Sequence, residues 1–352
     1  MTQIINYKIR LSNAITWLRF PLIFLIIMLH CYSVVRMEGT GDTYFNTVYP
    51  FALWLGETGV PGFFCISGYL FFLSRKNYGQ KLKTRFHTLL IPYLLWNVLL
   101  LIMYIVLFAI GYPQNINGRS MAEYNVTDYI RLFWDRGTYE NGNFSPLLCP
   151  FWYIRNLFII SMISPILNYI IKYARELFLL IAVIWWMTAY HNAFIQQTIL
   201  FFSLGAYFAI HNINPIKLIT ENKKWFIIFF IMFAISDIAM HTIAGTPINL
   251  QVHRLSLIFN IPALFILADI CISKGYSSKL LPNAAFIVFA VHYPIVLVLR
   301  KLCATKYATA SDATHIMLYF VCIVIATIAS MLVYIILSKY FPKLKNLLSG
   351  NR

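Results

Sequence analysis

The sequence predicts an all-α, polytopic membrane protein with about ten transmembrane helices and both termini in the cytoplasm. Three observations carry that prediction. Hydrophobic residues make up 60% of the 352 and charged residues only 11%, whereas soluble domains are about 45–50% apolar and 25% charged. The apolar residues gather in runs long enough to cross a bilayer. The basic residues then divide unevenly between the two sets of loops that alternate with those runs.

The runs fall at about 15–35, 50–73, 89–111, 148–170, 177–192, 197–211, 225–243, 251–272, 284–303 and 313–339. Lys8 and Arg10 precede the first run. It is too long for the apolar region of a signal peptide and lacks a small-residue exit, so it reads as an uncleaved helix. The second run spaces Gly56, Gly59 and Gly62 three apart, with Pro61 between the last two. Small residues let helices approach closely, and a proline frees backbone groups that must find partners or line a cavity. The third follows a basic stretch, SRKNYGQKLKTRFHTLLIPY, over 74–93. The fifth and sixth are short, which predicts tilt or partial insertion.

The segments 1–14, 74–88, 171–176, 212–224, 273–283 and 340–352, with Lys339, hold 18 of the 28 Lys and Arg. The opposite side holds 8: Arg36, Arg119, Arg131, Arg136, Arg254, Arg300, Lys301 and Lys306. The basic side is therefore cytoplasmic. Its charge also suits anionic lipid. The net charge of +16 thus reflects topology, and no nucleic-acid partner is expected. Six cysteines (31, 65, 149, 271, 303 and 322) show no metal-ligand spacing, so no metal is expected. The chain reads as one transmembrane domain, 1–352, with a single long outer polar segment at 112–147. Within it Val126, Tyr129, Ile130, Phe133 and Trp134 share one helical face, which predicts a short amphipathic helix on the membrane surface. The same aromatics could stack on sugar rings. Asn125-Val126-Thr127 matches a glycosylation sequon by pattern.

Arg19 and His30 lie eleven positions apart in the first run. At about 100° per residue they point from nearly one face, separated by roughly 17 Å along the axis. A lone arginine near a boundary snorkels, and a lone histidine is commonly a bonded core residue. Together they mark a lined path. Glu57, Arg155 and Asp237 fall at a depth similar to His30 on three other runs. Buried charges need partners, so Glu57 or Asp237 can pair with Arg155, or orient His30 as a base. His292 sits mid-run, two residues before Pro294. It is a core histidine or a pocket residue.

The motifs are similar to those of the membrane-bound acyltransferase-3 family, which O-acylates cell-surface glycans and other acceptors. Arg19 and His30 resemble its arginine, ten residues, histidine pattern. VPGFFCISGYLFF (60–72), which contains Ser67, resembles its second-helix motif, and KTRFHTLLIPYLLW (83–96) its basic run before PY. FWYIRNLFIISMISPIL (151–167), with Trp152 and Arg155, and FAVHYPIVL (289–297), with His292, are similar to two further segments. Thr88 departs from the pattern, standing where a second basic residue is usual.

The resemblance implies a multi-pass enzyme of the inner (plasma) membrane without an additional soluble domain. Its co-substrate is an acyl-CoA, with acetyl-CoA the expected donor and succinyl the alternative, and it has no tightly bound cofactor. Arg75, Lys81, Lys83 and Arg85 would hold the donor phosphates. His30 would act on a hydroxyl of a glycan or lipid-linked sugar, as base or acyl carrier, with Arg19 in the catalytic set and Arg155, His292, Ser67 and Trp152 lining the pocket. Depth along the runs, not the family pattern, adds Glu57 to the catalytic set and Asp237 to the pocket. A secondary transporter for an anionic or sugar substrate is the competing class, but no internal repeat with paired broken helices stands out.

Overall fold

The computed structural model describes residues 2–35, 42–112, 114–137, 144–189, 193–243 and 247–351. Arg36, one of the outer basic residues, lies outside them. α1 (Thr2–Val35) starts well before its apolar run and is packed by α3, α12, α13 and α14.

The second run is two helices, α2 (Asp42–Gly56) and α3 (Gly59–Leu73), parted at Glu57 and Thr58. Pro61 has no N–H to offer the carbonyl four residues back, which weakens the ladder there. Asn260 closes the break from α12, donating to the Trp54 carbonyl at 3.0 Å and to Thr58 Oγ1 at 2.9 Å. Gly59 lies against α1, where an added Cβ would come within 2.6 Å of Ile26. At the crossing of α3 with α9, a Cβ on Gly68 or Gly205 would collide with the carbonyls of Phe202 and Cys65.

α4 (Tyr78–Arg85) begins in a capping box between Asn77 and Gln80 and passes through a π-helical turn, Phe86–Leu90, into α5 (Ile91–Ala109). The outer segment holds a two-residue hairpin, β1 (Asn115–Ile116) and β2 (Arg119–Ser120). Asn117 and Gly118 turn it with φ of 51° and 83°, the signature of an Asn-Gly turn. α6 (Val126–Arg131) follows, capped by the Asn125 side chain. The Asn125 N–H, with Arg119 beside it, holds the Asp128 carboxylate below its usual range. Val126, Ile130 and Trp134 are exposed, while Tyr129 and Phe133 are half-buried.

α7 (Trp152–Met162), entered through a short turn at Cys149–Phe151, and α8 (Ser164–Thr188) meet at 70°. The expected loop at 171–176 is helix, interrupted at Arg175 by φ 46° and ψ −125°. α9 (Phe194–Ile210) and α10 (Pro215–Glu221) meet at 95°. α11 (Lys223–Ile243), α12 (Pro247–Ser273), α13 (Leu280–Lys306), α14 (Asp312–Tyr340) and α15 (Pro342–Ser349) complete the chain. α15 docks beside α5, with Trp96 Nε1 donating to the Leu348 carbonyl at 3.0 Å.

Among the described residues the protein is an all-α bundle apart from that hairpin. Among the described residues, five helices are long and apolar enough to cross a membrane, or seven if each of two bent pairs is one span. This is fewer than the ten apolar runs. α2 and α3 are 15 residues each, and α11 carries Lys223, Lys224 and Asp237.

Candidate active site

His30 points from α1 at α13. Its ring centre is 5.5 Å from that of His292 and 5.2 Å from that of Tyr293, the latter edge to face. His292 is fully buried. Its Nδ1 faces the Val288 carbonyl at 3.3 Å. A carbonyl can only accept, so in that bond Nδ1 carries the proton and Nε2 keeps its lone pair. That Nε2 is buried without a hydrogen-bond partner among the described residues. Pro294 follows within the helix and deprives the Ala290 carbonyl of its usual donor.

The outer segment closes over the rings. Arg136 donates from Nη1 to Tyr293 Oη at 3.3 Å, and its backbone N–H donates to the Ser145 carbonyl at 2.8 Å. On the opposite side, toward the basic loops, lies a cavity of about 430 Å³ whose lining includes Arg19, Ser67, Arg85, Tyr153, Phe286 and Phe289. Ser67 Oγ and Tyr153 Oη are 3.3 Å apart. The lining climbs α1 from Arg19 to Ile23 and α13 from Pro282 to Phe289. The Phe289 ring is 5.9 Å from that of His292. The shared stripe on α1 therefore places Arg19 in the cavity and His30 beyond Phe289, outside its lining. The continuous path expected from the sequence is not open: the cavity stops short of His30, and Phe289 is the lining residue whose ring packs on His292.

The four ionisable groups predicted at one depth do not converge. Glu57 and Asp237 both turn to His253 on α12, whose Nε2 is 3.1 Å from Glu57 Oε2 and whose Nδ1 is 2.8 Å from Asp237 Oδ2. Ser256 adds a bond to Asp237 Oδ2 at 2.9 Å. Neither carboxylate is therefore the partner proposed for His30. Nor does either pair with Arg155, which donates to the carbonyls of Trp134 at 2.5 Å and Phe144 at 3.0 Å and pins the outer segment. The two carboxylates share His253, while Arg155 and His30 turn to other neighbours. Trp152 stacks flat on Phe194, with ring centres 3.8 Å apart, and ties α7 to α9.

Of the four basic residues assigned to donor phosphates, Arg85 lines the cavity. Lys81, one turn earlier, shares with Arg85 the face of the Phe71 ring, at 5.0 and 5.4 Å. Arg75 and Lys83 are exposed and do not line this cavity. Among the described residues no group of three His, Cys, Asp or Glu is placed to hold a metal ion.

Sequence reasoning missed three residues: Tyr293, Arg136 and His253. Tyr293 adjoins His292 in a motif already singled out. His253 could have been found as a histidine near the outer end of a run that packs on Asp237. Nothing local to Arg136 separates it from the other loop arginines; only the tertiary fold brings it to Tyr293.

A family model described as an acyltransferase domain matches residues 12–335. The succinoglycan biosynthesis protein ExoH of Rhizobium meliloti (strain 1021) is 26% identical over 267 residues, which cover 69% of this chain and 68% of that protein. No solved structure matches the chain.

Proposed function

The chain belongs to the acyltransferase-3 family, and from that premise we propose that it moves an acyl group from acyl-CoA to a hydroxyl of a cell-surface polysaccharide or lipid-linked sugar. It is a multi-pass membrane acyltransferase; the donor, the acceptor and the inner membrane as its location are parts of the proposal. So are ten crossings with both termini cytoplasmic, which the loop charges support. The name of the relative, a succinoglycan biosynthesis protein, supports a polysaccharide acceptor. Acetyl is the proposed acyl group.

One observation carries this reading. The His30 and His292 rings lie between a cavity at the basic end, lined by Arg19 and Arg85, and an outer segment whose Arg136 bonds Tyr293, the ring packed edge to face on His30. A donor with phosphates suits the basic end, and an acceptor outside the cell suits the other.

In the proposed step, the acceptor oxygen attacks the thioester carbonyl while its proton passes to the His30 ring. The carbon–sulfur bond breaks, and the thiolate takes the proton back from His30 as free CoA forms. Movement of the Phe289 ring joins the cavity to His30. Arg19 and Arg85 hold donor phosphate; His292, its Nδ1 directed at Val288, keeps a basic nitrogen beside His30. Purified protein in detergent should transfer label from acetyl-CoA to an oligosaccharide or lipid-linked acceptor and lose that activity in His30→Ala. Undiminished transfer by His30→Ala, or substrate uptake into vesicles without any acyl-CoA, would defeat this reading. Retention of label on the protein after denaturation would identify His30 as an acyl carrier in place of a base.

A further inference from the structure

A second cavity, of about 770 Å³, adjoins the first across Phe71. Leu70 lines the first and Phe71 and Phe72 the second, while Arg85 and Lys81, one turn apart on α4, belong to the first and second respectively. Both cations lie over the Phe71 ring. The far wall comes from α8 and supplies Lys172 and, at the break in that helix, Arg175.

Three cations therefore border this cavity. The acidic group beside them is Glu176, 3.4 Å from Arg175 and also bonded to Tyr207. It offsets one of the three charges. His211, at the end of α9, directs Nε2 at the Ile171 carbonyl at 3.2 Å and adds a polar edge. Phe72 and Tyr78 give flat apolar surface on which an aromatic ring can lie. Tyr78 also donates to the Met162 carbonyl at 2.5 Å, which fixes the α4 wall to the bend between α7 and α8. Arg175 has φ 46° and ψ −125°, a conformation costly for a residue with a Cβ. Such strain persists where the surrounding structure holds it and is found at ligand sites.

Resting on the acyl-CoA reading, we propose that this second cavity binds the 3′-phosphorylated nucleotide end of the donor. Lys172 and Arg175 take its phosphate, the aromatic wall takes its base, and the acyl-bearing arm runs past Phe71 into the first cavity toward Phe289. This assigns a role to two residues on α8, apart from the basic stretch before α5.

The test is binding of adenosine 3′,5′-bisphosphate to the full-length protein in nanodiscs, by calorimetry, alongside steady-state acyl transfer. The variant is Lys172→Ala with Arg175→Gly. Glycine accepts the positive φ without strain, so this change removes the guanidinium without forcing the backbone. Loss of two solvent-screened charges should weaken nucleotide binding about tenfold. The KM for acetyl-CoA should rise similarly with kcat held, while the KM for acetyl-pantetheine, which lacks the nucleotide, stays unchanged. Nucleotide binding unchanged by the variant, an equal rise for acetyl-pantetheine, or a cavity that takes phosphatidylglycerol headgroups and no nucleotide would each overturn the proposal. Nucleotide binding that depends on Lys172 and Arg175 in a protein that transfers no acyl group would keep this site and overturn the acyl-CoA reading.

Discussion

One histidine centre joins α12 to α11 and the α2–α3 break, the other joins α1 to α13, and they are built in opposite ways. His253 has a carboxylate oxygen at each ring nitrogen and is nearly buried. An imidazolium that donates at both nitrogens is a finished ion cluster with no lone pair left to react. His292 has its Nδ1 at a carbonyl and its Nε2 bare, and its neighbour His30 is half-buried among rings. Two carboxylates make His253 a structural cation; a bare Nε2 leaves His292 a base. The identity of the neighbours separates the two.

Substitutions test the contrast in descending order of effect. His30→Ala should lower the acyl-transfer rate by about 10²–10⁴, the usual contribution of a general base, with an unchanged elution profile and melting temperature in detergent. An active, normally folded His30→Ala would erase the distinction. His253→Ala should act the other way round. Leaving buried Asp237 and half-buried Glu57 without their cation costs about 3 kcal/mol, read as a lowered melting temperature, while the molecules still folded transfer acyl groups at the normal rate. His292→Gln should slow transfer by about 10-fold with little loss of stability; a large stability loss would place His292 with His253. The smallest effect belongs to Ser256→Ala, which removes one interhelical bond to Asp237 worth about 1 kcal/mol and leaves transfer untouched.

Much of this was legible in the sequence. The apolar runs located the helices, and the glycine spacing before Phe63 marked a close approach that Gly59 makes to α1. Arg19 and Ser67 do line one cavity, and His30 and His292 do meet. What failed was azimuth. Residue spacing gives height along a helix, so Glu57, Arg155 and Asp237 were placed level with His30. Yet the rotation of each helix sends the carboxylates to His253 and the guanidinium to two loop carbonyls. The break at Glu57 was also obscured, because an apolar run does not show where a helix within it is interrupted. The Asn117-Gly118 turn was an available local signal left unread inside a polar stretch.

The glycine joint between α3 and α9 has a consequence for how any guest gets in. With carbonyl oxygens where side chains would stand, neither helix can slide or roll on the other, so this wall of the first cavity is stiff. Yielding to let something past Phe289 falls to the facing pair, α1 and α13, where Pro21 and Pro294 each remove a rung from the helical ladder. The bundle thus sets one tightly locked wall against one softened by prolines, and Phe289 stands on the second.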